Sequence, residues 1–218
     1  MKTCCSKPGD AGLTLMETLV VAFTLVVVAA LLLPELAAQK NKRSRIRCTN
    51  NLKQVGLAFK IWEGDNNDKY PMAISVTNGG AMEAVLGGDP IQVFQVMSNE
   101  LSTARLLLCS EDQDHQLATN WGPSLTAKNV SYFINPDAIE ANPQEIMSGD
   151  DNFEISGIPA GSGLLKISTN APIAWSAKRH KLSGNLLLSD GSVQGLTETG
   201  LANWLRSTNF TTTRLAIP

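Results

Sequence analysis

An uninterrupted apolar segment from Leu13 to Leu33 constrains the fold of this chain more than any other feature. It reads LTLMETLVVAFTLVVVAALLL and contains one ionisable side chain, that of Glu17. At a rise of about 1.5 Å per residue, such a helix just crosses a hydrocarbon core about 30 Å thick. A secretory signal peptide has a shorter apolar stretch before a small-residue cleavage site, whereas Pro34 and Glu35 follow this one. A buried helix of a soluble protein is rarely apolar on every face, so the segment predicts a membrane span.

The length of the chain leaves room for one globular domain of ordinary size beside this segment. The protein has 218 residues, of which 43% are hydrophobic, and a formal net charge of -2. This length accommodates one anchor and one domain. Because the charge is close to neutral, there is no general attraction to nucleic acid, and we expect no nucleic-acid partner.

Residues 34–63 are predicted to continue the N-terminal helix. The helix should end near Gly64, because turn-forming residues cluster in GDNNDKYP and Pro71 prevents its continuation. Oxygen ligands at positions 65–68 could bind calcium, but they lack the glutamate-terminated spacing of an EF-hand loop, which favours a solvated turn. Apolar residues at spacings of three and four predict a stripe that packs against a sheet: Leu52, Val55, Phe59 and Trp62.

Residues 64–218 are predicted to form a β-rich domain. ARLLLCS, NVSYFINP and APIAWSA have the character of short strands, and residues 136–163 that of a long surface loop. GNLLLSDGSVQGL predicts a hairpin that turns at Asp190 and Gly191, and ETGLANWLRS predicts a short helix. The expected fold class is therefore α+β: a long N-terminal helix, membrane-spanning in its first half, packed on an antiparallel sheet.

The sequence GLTLMETLVV resembles the prepilin cleavage motif of type IV pilin-like proteins and pseudopilins. The motif has a glycine, a hydrophobic first mature residue, a threonine, and a glutamate as the fifth mature residue. The resemblance implies that a prepilin peptidase removes the leader, residues 1–12, by cutting between Gly12 and Leu13, and methylates the new amino group. Leu13 replaces the more usual phenylalanine, and Pro34 lies where this family often has a helix-bending proline.

Glu17 is costly within a span, so its carboxylate calls for a partner. Cleavage would leave a positive α-amino group at a helix start that already carries partial positive charge. In a filament, Glu17 of one subunit could neutralise the amino terminus of its neighbour at low dielectric. The alternative is a glutamate that is merely tolerated near the membrane interface.

The basic residues around the span are unequally distributed, and taken alone they would place the C-terminal side in the cytoplasm. The pilin-like resemblance implies the reverse: a single-pass inner-membrane protein with a cytoplasmic leader and an extracytoplasmic domain. The implied partners are a prepilin peptidase, other pilin or pseudopilin subunits, a secretion or pilus assembly platform, and membrane lipid. The basic residues that flank the span are Lys2 and Lys7 before it, and Lys40, Lys42, Arg43, Arg45 and Arg47 after it.

Two further stretches resemble one group within this class. RCTNNLKQVGLAFKIW is similar to a segment that follows the membrane helix in pilin-like proteins of planctomycetes and verrucomicrobia. His180 precedes Asp190 and Gly191 with nine residues between, which resembles the C-terminal His-nine-Asp-Gly element of the same group. Nine extended residues span about 30 Å. Without a bend, the histidine and the aspartate are therefore not in contact, and each has its own structural role: one at the start of a strand and the other in a turn.

If the leader is removed, Cys4 and Cys5 are lost with it. Cys48 and Cys109 then lie in an exported domain, where an oxidising compartment favours a disulfide. A zinc site formed by Cys48, Cys109, His115 and His180 is the alternative, but CxxC and HxxxH spacings are absent. We expect no metal and no cofactor.

The resemblance implies a structural subunit of a type II secretion pseudopilus or of a type IV pilus-like filament. We expect no catalytic residues, because the sequence contains no GxSxG, HExxH or GxxxxGK[ST] motif. The alternative function is a membrane-anchored extracytoplasmic binding or adhesion module, in which an exposed Trp121 or Trp175 contacts the ligand.

Overall fold

The computed structural model describes residues 14–207 and 212–218, in which the chain divides into two compact units, Met1–Arg43 and Ser44–Pro218. The leader, Gly12 and Leu13 lie outside the described residues, as do Cys4 and Cys5. Predictions about processing therefore remain predictions.

The first unit contains the start of helix α1, Leu15–Asp65. Its apolar segment Leu15–Leu33 has a mean hydropathy of 2.5 and none of it is buried. Exposure of so many large apolar side chains to water is unfavourable, and a hydrocarbon environment removes that cost. The unit fits a single-pass membrane anchor or a signal sequence. Pro34 lies within α1.

Within the second unit, α1 buries the predicted apolar stripe. Leu52, Val55 and Phe59 are completely buried and Trp62 is 7% exposed. The helix also approaches the sheet closely at Gly56, where a Cβ atom would lie 2.6 Å from Leu187 Cδ1. A side chain at this position would force the buried Leu187 side chain to shift and would crowd Gly191 O, at 3.3 Å, which favours a glycine here.

A layer of short helices follows α1, where the sequence predicted strands. The strand prediction for ARLLLCS was wrong, because Thr103 accepts a hydrogen bond from the backbone N–H of Arg105 and starts a 3-10 turn. Leu107 is then buried in the same core as α1. The elements are α2 (Met82–Leu86), α3 (Ile91–Val96), α4 (Ser98–Leu101), and 3-10 turns at Pro71–Ala73, Val76–Asn78, Ala104–Leu107 and Ala127–Asn129.

Nine strands form two antiparallel sheets in the described residues. The larger has the order β5-β9-β1-β2-β7-β8 and the smaller the order β4-β3-β6. Helix α5, Glu198–Ser207, lies between β8 and β9 in the chain, as predicted. The strands are β1 (Tyr132–Ile134), β2 (Ile146–Asp150), β3 (Phe153–Ile155), β4 (Ile158–Pro159), β5 (Gly163–Ser168), β6 (Ile173–Trp175), β7 (Ser183–Leu188), β8 (Val193–Thr197) and β9 (Thr212–Ile217).

The central strands β1, β2 and β7 of the larger sheet are buried on both faces. Tyr132 and Ile134 face the core formed with α1, whereas Phe133 between them faces a second core formed with the smaller sheet and α5. Leu187 likewise faces α1, and its neighbours Leu186 and Leu188 face the other side. This alternation follows from the two-residue period of a strand. The predicted α+β class, with an N-terminal apolar helix and antiparallel sheets, is confirmed.

The prediction of a surface loop at residues 136–163 was wrong. The segment includes β2, which lies between β1 and β7 and is buried at every position. IMSGD carries two apolar residues followed by a serine, a glycine and an aspartate, so its sequence does not have the pattern of a central strand. Gly149 is required there, because a Cβ atom would lie 2.8 Å from both Asn185 O and the Phe133 ring.

Candidate functional site

The N-terminus of α1 holds the Glu17 carboxylate in local hydrogen bonds. Glu17 Oε2 accepts from the Thr14 backbone N–H at 2.8 Å and from the Thr14 hydroxyl at 2.9 Å. The Glu17 backbone N–H in turn lies 3.3 Å from Thr14 Oγ1. This reciprocal arrangement is a capping box, and it satisfies polar groups at a helix end that would otherwise be unpaired in lipid.

The predicted disulfide between Cys48 and Cys109 is confirmed, with a Cα–Cα distance of 5.0 Å. It joins α1 to the segment that follows the 3-10 turn Ala104–Leu107. His180 lies directly against it, with Nε2 at 3.2 Å from Cys109 Sγ and the side chain fully buried. Because Cys109 is bonded to Cys48 of α1, His180 of the His-nine-Asp-Gly element lies close to this helix.

A left-handed turn holds His180 in this position. His180, Lys181 and Leu182 have φ values of 51°, 52° and 60°, and β7 begins at the next residue. Such backbone is costly for residues other than glycine and persists where surrounding contacts fix it. Here Glu111 Oε2 accepts from the His180 backbone N–H at 2.9 Å, and the Ser183 hydroxyl donates to His180 O.

Asp190 and Gly191 form the turn at the opposite end of β7, as the hairpin prediction requires. Asp190 Oδ1 accepts from the Ser192 backbone N–H at 2.8 Å, and Gly191 adopts a φ of 82°. The Tyr70 hydroxyl donates to Ser189 O at 2.8 Å, which ties the turn to the segment after α1. The structure thus places His180 and Asp190 at opposite ends of one strand, each with its own local partners.

Four buried or half-buried side chains form a charged cluster beside His180, which the sequence did not predict. Arg179 lies between two carboxylates: Nη1 is 3.0 Å from Asp112 Oδ2, and Nη2 contacts Asp151 Oδ1. His115 Nδ1 is 2.8 Å from Asp112 Oδ2, and Nε2 is 3.8 Å from Asp151 Oδ2. The Ser131 hydroxyl donates to Asp112 at 2.6 Å. Each charged side chain of the cluster therefore lies against an opposite charge, as buried charges require.

The pKa values of the two carboxylates, Asp112 and Asp151, shift in opposite directions. Burial favours a higher pKa for Asp112, but the His115 hydrogen bond, the Arg179 charge and the Ser131 hydroxyl together hold that pKa well below its usual range. Burial raises the pKa of Asp151 to about 6, against the opposing effect of the Arg179 charge. The hydrogen bond to Asp112 raises the pKa of His115, against the effect of burial. Asp112 therefore remains charged at neutral pH and favours the protonated form of His115.

We predict that the free energy of unfolding falls as pH rises above about 6.5 and through the higher folded-state pKa of His115. The folded-state pKa of His115 is above its unfolded value, so its contribution is complete below the unfolded pKa and is lost as pH passes the folded one. Melting temperatures at several pH values would measure this decline. His115→Gln should flatten it. An equally steep decline in that variant would contradict the assignment to His115.

Within the part of the chain that the structure describes, two groups of side chains have the spacing of metal ligands, and the side chains of both already contact other protein groups. Cys48, Cys109 and His180 place ligand atoms within 4.8 Å of one another, but the disulfide leaves no thiolate for zinc. Asp112, His115 and Asp151 do the same around the Arg179 guanidinium, which supplies the positive charge there.

A cavity of about 150 Å³ opens next to the charged cluster. Asn152 and Ser176 line it and are 6% and 5% exposed. Among the residues that the structure describes, no partner is found for Asn152 Nδ2 and Oδ1, Ser176 Oγ or Arg179 Nε. The predicted recognition residue Trp175 is instead a core residue at 1% exposure, and Trp121 packs partly buried against the core.

Comparison of this chain with known protein families, with curated proteins and with solved structures gives no match.

Proposed function

We propose that the chain is a pilin-like structural subunit, processed by a prepilin peptidase and anchored by its N-terminal helix in the inner membrane. It assembles with other pilin or pseudopilin subunits into a type II secretion pseudopilus or a type IV pilus-like filament. The observation that carries the proposal is the fully exposed apolar helical segment Leu15–Leu33, with Glu17 as its single ionisable side chain. Neighbouring anchors of the same kind would cover this surface in a filament.

The second unit supports the proposal because its core packs around the C-terminal part of α1. The segment with pilin-like resemblance, residues 47–62, contains the disulfide cysteine Cys48, the close approach at Gly56 and the buried stripe. Asn51 Nδ2 donates to Leu108 O at 3.1 Å, and Thr49 Oγ1 donates to Asn185 Oδ1 at 3.2 Å. A domain built around its own helix suits a subunit whose helix is the point of assembly.

The capping box gives Glu17 a role both before and after assembly. In a free subunit, Thr14 satisfies the carboxylate and lowers the cost of placing it in lipid. After cleavage, a neighbouring α-amino group offers an opposite charge at low dielectric, which is a stronger partner than a hydroxyl. The carboxylate can then exchange a local partner for an intersubunit one.

Co-expression of the full chain with a prepilin peptidase tests the processing step. The wild-type protein should begin at N-methylated Leu13 in mass spectrometry and N-terminal sequencing. Gly12→Val should abolish cleavage, because the residue before the cut is altered, whereas Gly9→Val in the same leader should be processed normally. A mature wild-type protein that retains residues 1–12 would contradict the proposal.

Glu17 variants test assembly. Glu17→Val and Glu17→Gln should insert into the membrane normally and should reduce filament yield by about tenfold or more, for which a loss of about 1.4 kcal/mol suffices. The glutamine keeps a capping oxygen and removes the charge, so it separates the two roles. Thr24→Val is the control, because the Thr24 hydroxyl donates within its own helix to Val21 O. Normal assembly of Glu17→Gln would refute the charge pairing.

A further inference from the structure

We propose that the exposed face of α1 in the second unit docks on the surface around α2 of a second copy of this chain. The inference rests on the proposed function, because it names a contact between the domains of neighbouring subunits. Both surfaces lie within the second unit and consist of exposed residues. The support comes from an apolar stripe on α1, an acidic and apolar patch around α2, and the opposite charge of the two.

The exposed face of α1 carries a stripe of residues opposite to the buried one. Its members follow one another at spacings of three and four, so they lie on one side of the helix. Leu57 is 60% exposed and Ile61 is 46% exposed. Neighbouring exposed apolar side chains mark an interaction surface, whereas single ones are normal. We call this surface the α1 stripe, and it consists of Ile46, Asn50, Lys53, Leu57 and Ile61.

The surface around α2 combines exposed apolar and acidic side chains. Glu83 Oε2 accepts from the Val76 backbone N–H at 2.7 Å, which keeps these two residues adjacent. The Asp89 backbone N–H donates to Ala84 O at 2.9 Å, which keeps Asp89 beside the helix. Leu86, at the end of α2, is 40% exposed. We call this surface the α2 patch, and it consists of Val76, Glu83, Leu86 and Asp89.

The two surfaces belong to segments of opposite charge. Residues 44–62 of α1 contain four basic residues and no acidic one, whereas residues 63–218 contain nine basic and seventeen acidic residues. Among the residues that the structure describes, no ion pair is found for Lys53, Glu83 or Asp89. These three charges are therefore available to a partner. The α2 patch of a second copy offers the stripe both apolar contact and opposite charge.

A contact between two different surfaces leaves one of each free in every pair of copies. A further copy can then add at either end, and a filament grows where the rotation between copies does not close a ring. Two α1 stripes packed on each other would instead bring like charges together and would stop at a dimer. The proposed contact is thus of the kind that a filament subunit needs.

Photo-crosslinking of the full chain in phosphatidylcholine vesicles tests the contact. p-Benzoylphenylalanine in place of Ile61 puts the reactive group on the α1 stripe, and the membrane raises the effective concentration of the copies. Irradiation should give a covalent dimer, and mass spectrometry should locate the link within residues 76–89 of the other copy. A dimer linked from stripe to stripe, a link to lipid alone, or the absence of a dimer would overturn the proposal.

Two leucines separate the effect of charge from the loss of apolar contact. Leu57→Glu brings an acid to the acidic patch and should give a dimer yield about tenfold lower than Leu57→Lys, although both lose the same side chain. Leu86→Lys should likewise give less dimer than Leu86→Glu. The double variant Leu57→Glu with Leu86→Lys should recover the yield, because the new charges are opposite. Leu117 is the control position, since it is 50% exposed and belongs to neither surface.

Glutamate and lysine at position 117 should leave the dimer yield unchanged. Equal yields of Leu57→Glu and Leu57→Lys would overturn the charge pairing, as would a double variant no better than Leu57→Glu. The cross-link requires neither processing nor filaments, so its result is separate from N-terminal sequencing and filament yield, which test the proposed function. Filaments in which position 61 never links to residues 76–89 would refute this contact and leave the proposed function intact.

Discussion

Replacement of Arg179 by methionine should lower the free energy of unfolding by about 3–5 kcal/mol, the cost of breaking a buried ion pair by removing one partner. The Arg179 side chain is 5% exposed and lies between Asp112, at 0%, and Asp151, at 6%. Without the guanidinium, the Asp112 and Asp151 carboxylates remain in the interior, and His115 is the one cation left in the cluster to oppose them. Chemical denaturation of the variant and the wild type in the same detergent would measure the difference.

Lys178→Met is the matched control for Arg179→Met. Lys178 is the preceding residue and also contacts a carboxylate, Asp114, but both side chains are more than half exposed. An exposed pair contributes little, so the control should change stability by less than about 1 kcal/mol. Adding Asp151→Asn to Arg179→Met should recover part of the loss, because it removes one unpaired charge. Equal effects of the two methionine variants would contradict a structural role for the charged cluster.

Reduction of the Cys48–Cys109 disulfide should lower the free energy of unfolding by up to about 4 kcal/mol. The two cysteines are separated by 61 residues in sequence, and opening a loop of that length returns considerable entropy to the unfolded chain. Reduction also alters the contact of His180 Nε2 with Cys109 Sγ. Denaturation of the full chain with and without a reductant measures the effect.

The double variant Cys48→Ala with Cys109→Ala provides the control for reduction. It should resemble the reduced wild type in its denaturation midpoint and should not respond to the reductant, since no bridge remains between α1 and the rest of the second unit. A wild-type midpoint that is the same with and without reductant would show that the bridge contributes nothing to stability.

The sequence predicted those parts of the structure that depend on local patterns. The three-and-four spacing of Leu52, Val55 and Phe59 predicted a buried helix face, and a hairpin turn was predicted at Asp190 and Gly191. The predicted Cys48–Cys109 pairing followed from a resemblance and a compartment, and it is present. Local periodicity and turn chemistry therefore determine these elements with little help from distant contacts.

The central strand β2 and the charged cluster depend on contacts between distant residues and were missed. Strand β2 has no alternating pattern because both of its faces are buried, and its partners β1 and β7 complete its hydrogen bonds. Arg179 and Asp112 are far apart in the chain, and only the tertiary fold pairs them. One signal was present: Asp150 and Asp151 lie between the apolar residues of IMSGDDNFEI, where an unpaired charge would be unfavourable.

The covalent bond between Cys48 and Cys109 also determines how the second unit responds to mechanical tension. If the anchor and the C-terminal end are pulled apart, force passes from Cys48 directly to Cys109 and bypasses the intervening backbone. The short helices α2, α3 and α4 lie in that bypassed segment and would carry no load. The disulfide keeps the 61 residues between the two cysteines from extending. At about 3.5 Å per residue, the fully stretched protein is therefore shorter by about 200 Å, and reduction of the disulfide would add this length again.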